Sequence, residues 1–249
     1  MMRRIGLFLA AFLMGGCQVS TVVTVHVSDD GSGIVEVAAG LDPEALATLP
    51  DLDGDGSVDP DDMMQVIRTD DLTAAGWDVS GPHAEGDRTV LRAAKPFGTP
   101  DEATAVLSEL TGPDGPLGDL EVSRDASFGA ERFRFSGTAD LSGGLEDFAD
   151  EGLAEALDGD PLGESEAAIE ERFGQPIADM FSLEIRVVLP DGEGHTWSPT
   201  VGGQPVNMKA EAVLYDTMVL GLAAAALLCA VALLVVLLVR WRRSRRAER

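Results

Sequence analysis

Six of the twelve residues in DLDGDGSVDPDD, Asp51 to Asp62, are aspartates, and two are glycines. Calcium takes six to eight oxygen ligands, and a twelve-residue loop supplies them from positions 1, 3, 5, 7, 9 and 12, with glycine at 6 for the sharp turn. With Asp51 at position 1, Asp53 and Asp55 fall at 3 and 5, Gly56 at 6, Ser57 at 7 with its backbone carbonyl, Asp59 at 9 and Asp62 at 12. Val58 supplies the apolar residue usual at 8. Position 12 is aspartate where glutamate is commoner. The candidate metal ligands are therefore Asp51, Asp53, Asp55, Ser57, Asp59 and Asp62, and the candidate cofactor is one calcium ion. A single unpaired loop belongs to the weak extracellular class, with a Kd on the order of 10⁻⁴ to 10⁻³ M. The competing reading is a solvated acidic turn. Acidity accounts for the aspartates but not for Gly56 or Val58.

Other chemistry is sparse. The chain has three histidines, His26, His83 and His195, far apart in sequence. They are expected on a strand, in a turn and in a loop. There is no phosphate-cradling glycine loop, no G-x-S-x-G elbow and no zinc spacing. Paired carboxylates carry little catalytic information in a chain with 43 acidic residues. The expectation is a protein that is not an enzyme.

The two ends define where the chain sits. MMRRIGLFLAAFLMGGC opens with Arg3 and Arg4, continues with the apolar run Ile5 to Met14, and closes on two glycines and Cys17. This is the layout of a secretory signal over residues 1–16, too short to span a bilayer as a mature helix. Cys17 after small residues is a candidate lipidation site. An ordinary signal with a chance cysteine is the alternative. Met218 to Val239 is 22 residues without a charge, and a transmembrane helix needs about 20. The tail RWRRSRRAER holds six arginines and one glutamate. The positive-inside rule places that tail, residues 240–249, in the cytoplasm and the domain at 17–216 outside the membrane. The transmembrane segment is assigned to 217–239. Cys17 and Cys229, the only cysteines, then lie too far apart to pair.

The net charge of −25 conceals a division. Between residues 18 and 239, ten basic residues face 42 acidic ones, a balance of −32. Such a domain repels nucleic acid and anionic headgroups at long range and attracts cations.

Positioning these residues requires strands and helices. VSTVVTVHVS, from Val19, alternates with period two, with Val19, Thr21, Val23, Val25 and Val27 on one face. DDGSG marks a turn and IVEVA returns, a hairpin signal. Pro43 opens a short helix, and Pro60 to Leu72 forms a second. GWDVSG and RTVLRAA read as strands. TPDEATAVLSEL is the strongest helix outside the membrane segment, with Thr99 as cap, Pro100 in the first turn and Glu102 completing a capping box. LEVSRD and ERFRFSGTADL follow as strands, with Phe133, Phe135, Ala139 and Leu141 on one face and Arg132, Arg134, Ser136 and Thr138 on the other. Residues 145–157 have helical spacing, and SEAAIEERFG is a helix ending at Gly174. FSLEIRVVLP and VNMKAEAVLYD alternate again. Together these elements predict one α+β domain, an antiparallel sheet with helices on one face, followed by one C-terminal transmembrane helix.

The order of these parts resembles the LppM-domain lipoproteins of actinobacteria. The matching features are GGC at 15–17, VSTVVTVHVSDDGSG, GAERFRFSGTADLSG, FSLEIRVVLP and the single membrane helix with its arginine tail. RFRFSGTADLSG is the most specific piece. The aspartate-rich loop and the acidic stretch from Leu145 to Phe173 depart from the pattern, and the segment after Pro190 is less typical. The loop itself resembles dockerin loops, which carry aspartate at position 12. The LppM resemblance implies an envelope-anchored domain without known catalysis, in contact with envelope lipid or glycolipid, and it carries over no active-site residues. The expected function is a non-enzymatic envelope lipoprotein at the cell membrane that binds lipid or glycolipid. The alternative is a calcium-ordered structural or sensory module that holds a protein partner.

Overall fold

The computed structural model describes residues 18–47, 69–111, 116–144 and 166–247. The aspartate loop, Cys17, the signal-like segment and the 145–157 stretch lie outside them. Nine strands are described: β1 Val19–Val27, β2 Gly33–Leu41, β3 Asp78–Glu85, β4 Arg88–Phe97, β5 Leu117–Ser127, β6 Ala130–Ala139, β7 Phe181–Val188, β8 Gly194–Trp197 and β9 Val206–Tyr215. Six helices accompany them: α1 Pro43–Leu46, α2 Thr69–Ala74, α3 Pro100–Thr111, α4 Glu166–Phe173, α5 Ile177–Met180 and α6 Thr217–Ala247.

The strands form two sheets. One has six strands in the order β3-β4-β2-β1-β7-β8, the other three in the order β5-β6-β9. The α+β class stands, but the larger sheet is mixed, because β1 pairs with β7 in parallel from Val19–Phe181 to His26–Val188. Alternation in sequence is the same for either strand direction, and a parallel partner arrives by a long crossover rather than a tight turn. β8 was expected to be a loop. Its four residues, Gly194 to Trp197, are too short to show a period, and pairing with β7 makes them a strand. His195 thus sits on β8 and His83 on β3 rather than in a loop and a turn.

Local chemistry explains the element ends. Asp42 caps α1 by accepting the Ala45 N–H at 2.7 Å, and Pro43 takes the first position, where no donor is needed. At α3, Thr99 Oγ1 accepts the Glu102 N–H at 3.3 Å. Glu102 reaches back one residue further than a capping box requires and accepts the Gly98 N–H at 2.7 Å. α4 stops at Gly174, whose φ of +68° suits glycine.

The inner faces of the two sheets share one core. Phe133, Phe135, Val122, Met208 and Ala212 from the smaller sheet meet Val25, Val27, Val35, Ile185 and Val187 from the larger. Phe135 stacks on Trp197 of β8 with ring centroids 5.9 Å apart. Fully burying one such large apolar side chain contributes about 1.5–3 kcal/mol. α3 adds Ala103, Val106 and Leu107 to this core. Its Thr104 hydroxyl accepts the Val122 N–H at 3.1 Å, satisfying a donor on the outer side of edge strand β5.

The opposite face of the larger sheet carries no helix among the described residues. Arg92 binds Glu85 and Glu36 there, Arg186 binds Glu184, and Arg88 donates to Ser20 Oγ and Gln18 Oε1. The hydrogen bonds that Arg92 donates to the Glu85 carboxylate raise its pKa above the ordinary guanidinium range.

β9 passes into α6 with only Asp216 between them. That residue caps the helix by accepting the Met218 and Val219 N–H groups at 2.9 and 3.0 Å. Thr217–Leu238 is a 22-residue apolar stretch, none of it buried. At about 1.5 Å per residue it matches a hydrocarbon layer of about 30 Å.

Candidate functional site

An apolar cleft opens between the larger sheet and its helices. Val37 and Ala39 of β2, with Leu91 and Ala93 of β4, form its floor. Leu72 of α2, Leu110 of α3 and Trp77, which lies between α2 and β3, form its walls, and the cavity holds about 200 Å³. The floor exists because β2 and β4 place their odd-numbered residues on the helix side, where Ala39 lies opposite Leu91 and Val37 opposite Ala93. The space exists because alanines occupy two of those four positions.

One edge of the cleft is charged. Trp77 donates its indole N–H to Glu109 Oε2 at 3.1 Å, and Lys95 Nζ donates to both Glu109 oxygens at 2.8 and 2.7 Å. The same ammonium bonds the Ala75 carbonyl and lies 5.9 Å from the Trp77 ring centroid. The indole is thereby fixed as a wall, with an ion pair at its polar end. The cleft thus combines an apolar chamber with a localised charge pair at its edge.

The sequence contains no pattern that joins these residues. Lys95 and Glu109 are fourteen positions apart on a strand and a helix, and Trp77 precedes both. The one signal was a tryptophan between two turn-like residues.

The residues singled out from sequence are placed unevenly. Asp51, Asp53, Asp55, Ser57, Asp59, Asp62 and Cys17 lie outside the described residues. Among the described residues no group of three or more His, Cys, Asp or Glu side chains is arranged to hold a metal ion. His26, His83 and His195 sit on β1, β3 and β8. Cys229 is a free thiol exposed on α6. The helices at either end of the undescribed 48–68 stretch both pack on the larger sheet, α1 against β2 and β4 and α2 against β3.

Fold and terminal helix together define an α+β domain that carries, among the described residues, one helix long and apolar enough to cross a membrane. In comparison with solved structures, the chain is similar to the folded domain of LppM from Mycobacterium tuberculosis, determined by NMR. The identity is 16% over 82% of this chain and 94% of that one, with a TM-score of 0.38. No family model matches the chain, and no curated protein matches it.

Proposed function

We propose that this chain is a non-enzymatic envelope domain, tethered to the membrane by α6, that receives the apolar end of a lipid or glycolipid in the cleft beside Trp77. The observation that carries this reading is the cleft itself: an apolar floor, a fixed aromatic wall and the Lys95–Glu109 pair at its edge. At about 200 Å³ it is smaller than the roughly 300–1,000 Å³ of drug-sized ligand sites. It therefore accepts the end of a chain, with the polar part of the amphiphile at the charged edge. Tethering next to the bilayer raises the local concentration of such ligands. A signal ending before an acylated Cys17, and an arginine tail on the cytoplasmic side, complete the reading from sequence.

The test is native mass spectrometry of the detergent-extracted full chain. The parent is expected to carry a lipid-sized adduct that is lost in Ala39→Phe, whose ring would occupy the floor. No adduct on the parent, or equal occupancy in an equally stable variant, would overturn the proposal.

A second reading rests on the two helices that bracket residues 48–68. Since α1 and α2 are both held on the sheet, an ion bound by Asp51 to Asp62 would close the loop between two fixed points and order a surface for a protein partner. The same spectra would then show calcium.

A further inference from the structure

We propose that the tip of the β5–β6 hairpin, residues 127–130, is a second membrane contact, with Phe128 inserted into the lipid beside α6. The inference rests on α6 crossing a bilayer, and it adds a contact made by the folded domain itself.

The hairpin tip is held against the first turn of α6. The Asp216 N–H donates to the Gly129 carbonyl at 3.0 Å. Gly129 has a φ of +70°, and a Cβ built there would stand 2.8 Å from Leu220 Cδ2 and 3.7 Å from Val219 Cγ1. Glycine therefore allows both the turn and the close seating on the helix. Val219 and Leu220 are the third and fourth residues of α6, about 3–4.5 Å along its axis from Thr217. The tip thus lies at the depth of the first helical turn.

What the tip presents suits that depth. Phe128 is 77% exposed, and Met218 and Tyr215, on the adjoining first turn and strand end, are exposed at 77% and 66%. Three large apolar or amphipathic side chains around one helix entry form a patch that water disfavours and a bilayer boundary favours. Tyrosine in particular is enriched at that boundary.

Charge permits the approach. A domain with so large an acidic excess resists an anionic surface, yet the carboxylate nearest the tip on each of β5, β6 and β9 is ion-paired. Asp125 pairs with Arg134, Glu131 with Arg124 at 2.6 Å, and Glu211 with Arg132 at 2.9 Å.

The experiment uses the full chain with Cys17 and Cys229 replaced by serine, reconstituted in phosphatidylcholine–phosphatidylglycerol vesicles. A single cysteine at Phe128→Cys, Leu234→Cys or Asp87→Cys carries an environment-sensitive fluorophore, and nitroxide-labelled lipids act as quenchers. The label at 128 is expected to shift to the blue and lose most of its emission to a shallow nitroxide, while that at 87, in the β3–β4 turn, keeps its emission. If 234 is quenched and 128 behaves like 87, the hairpin contact is wrong and the span stands. If 234 is not quenched, the span is wrong and the hairpin proposal falls with it.

Discussion

The chain builds two apolar interiors of opposite kind against one sheet. Between the two sheets the core is closed: Phe133 and Met208 retain no exposed surface, and Phe135 is covered by Trp197. Between the same six-stranded sheet and its helices, the floor of Val37, Ala39, Leu91 and Ala93 leaves about 200 Å³ open. The difference lies in the covering layer. A second sheet delivers a side chain at every other residue along a broad face, and the two faces interdigitate. α2, by contrast, has six residues, of which Leu72 lines the cleft, and alanines on the strands do not reach up to fill the gap.

The largest expected effect tests that contrast directly. Phe135→Ala in the closed core is expected to cost about 3–5 kcal/mol by leaving a cavity. Ala39→Leu in the cleft adds volume where space exists and is expected to change stability by less than about 1.5 kcal/mol. Chemical denaturation of the two variants against the parent measures both. Similar losses from both would mean that the cleft is as tightly packed as the core, and the distinction would collapse.

A smaller effect is expected from the aspartate-rich stretch. If Asp51 to Asp62 bind calcium, thermal stability of the full chain in detergent should rise by about 2.7 kcal/mol at a hundredfold excess over the Kd. Magnesium should do less, because it dehydrates reluctantly and demands a tight octahedron. Asp51→Ala/Asp55→Ala should abolish the difference. Equal midpoints in the two ions at equal ionic strength would leave only an acidic turn.

The smallest effect concerns an exposed turn beside the closed core. Asp140 accepts hydrogen bonds from the Ser142 hydroxyl and N–H at 2.6 and 3.0 Å, which hold its carboxyl below the usual range. A carboxyl with a lowered folded-state pKa stabilises above its unfolded value, about 3.9, and loses that contribution as pH falls through the folded value. The melting difference between the parent and Asp140→Ala should therefore be present at neutral pH and shrink below about pH 4. A difference that persists unchanged in acid would place the effect elsewhere than in the charge.

Strands were largely legible in the sequence because half-burial prints a period of two. β1 and β6 show it in their valines and phenylalanines, and the cap at Thr99 and the stop at Gly174 carry local signals of their own. β8 was not legible: four residues with a glycine and a histidine have no pattern until β7 stands beside them. The cleft was not legible either, since its floor, wall and rim come from β2, β4, α2 and α3, and Trp77, Lys95 and Glu109 share no local spacing.

The sequence by itself determined the length of the apolar terminal helix, the division of charge and the alternating faces of the longer strands, since each depends on residues that are near neighbours in the chain. Only the tertiary structure decided that β1 pairs in parallel with β7, that the strands divide into two sheets, that a cleft opens beside Trp77 and that the β5–β6 tip rests on α6. Those outcomes depend on which faces meet across long separations, and side-chain volume and backbone hydrogen bonding select the partners only once the layers are assembled.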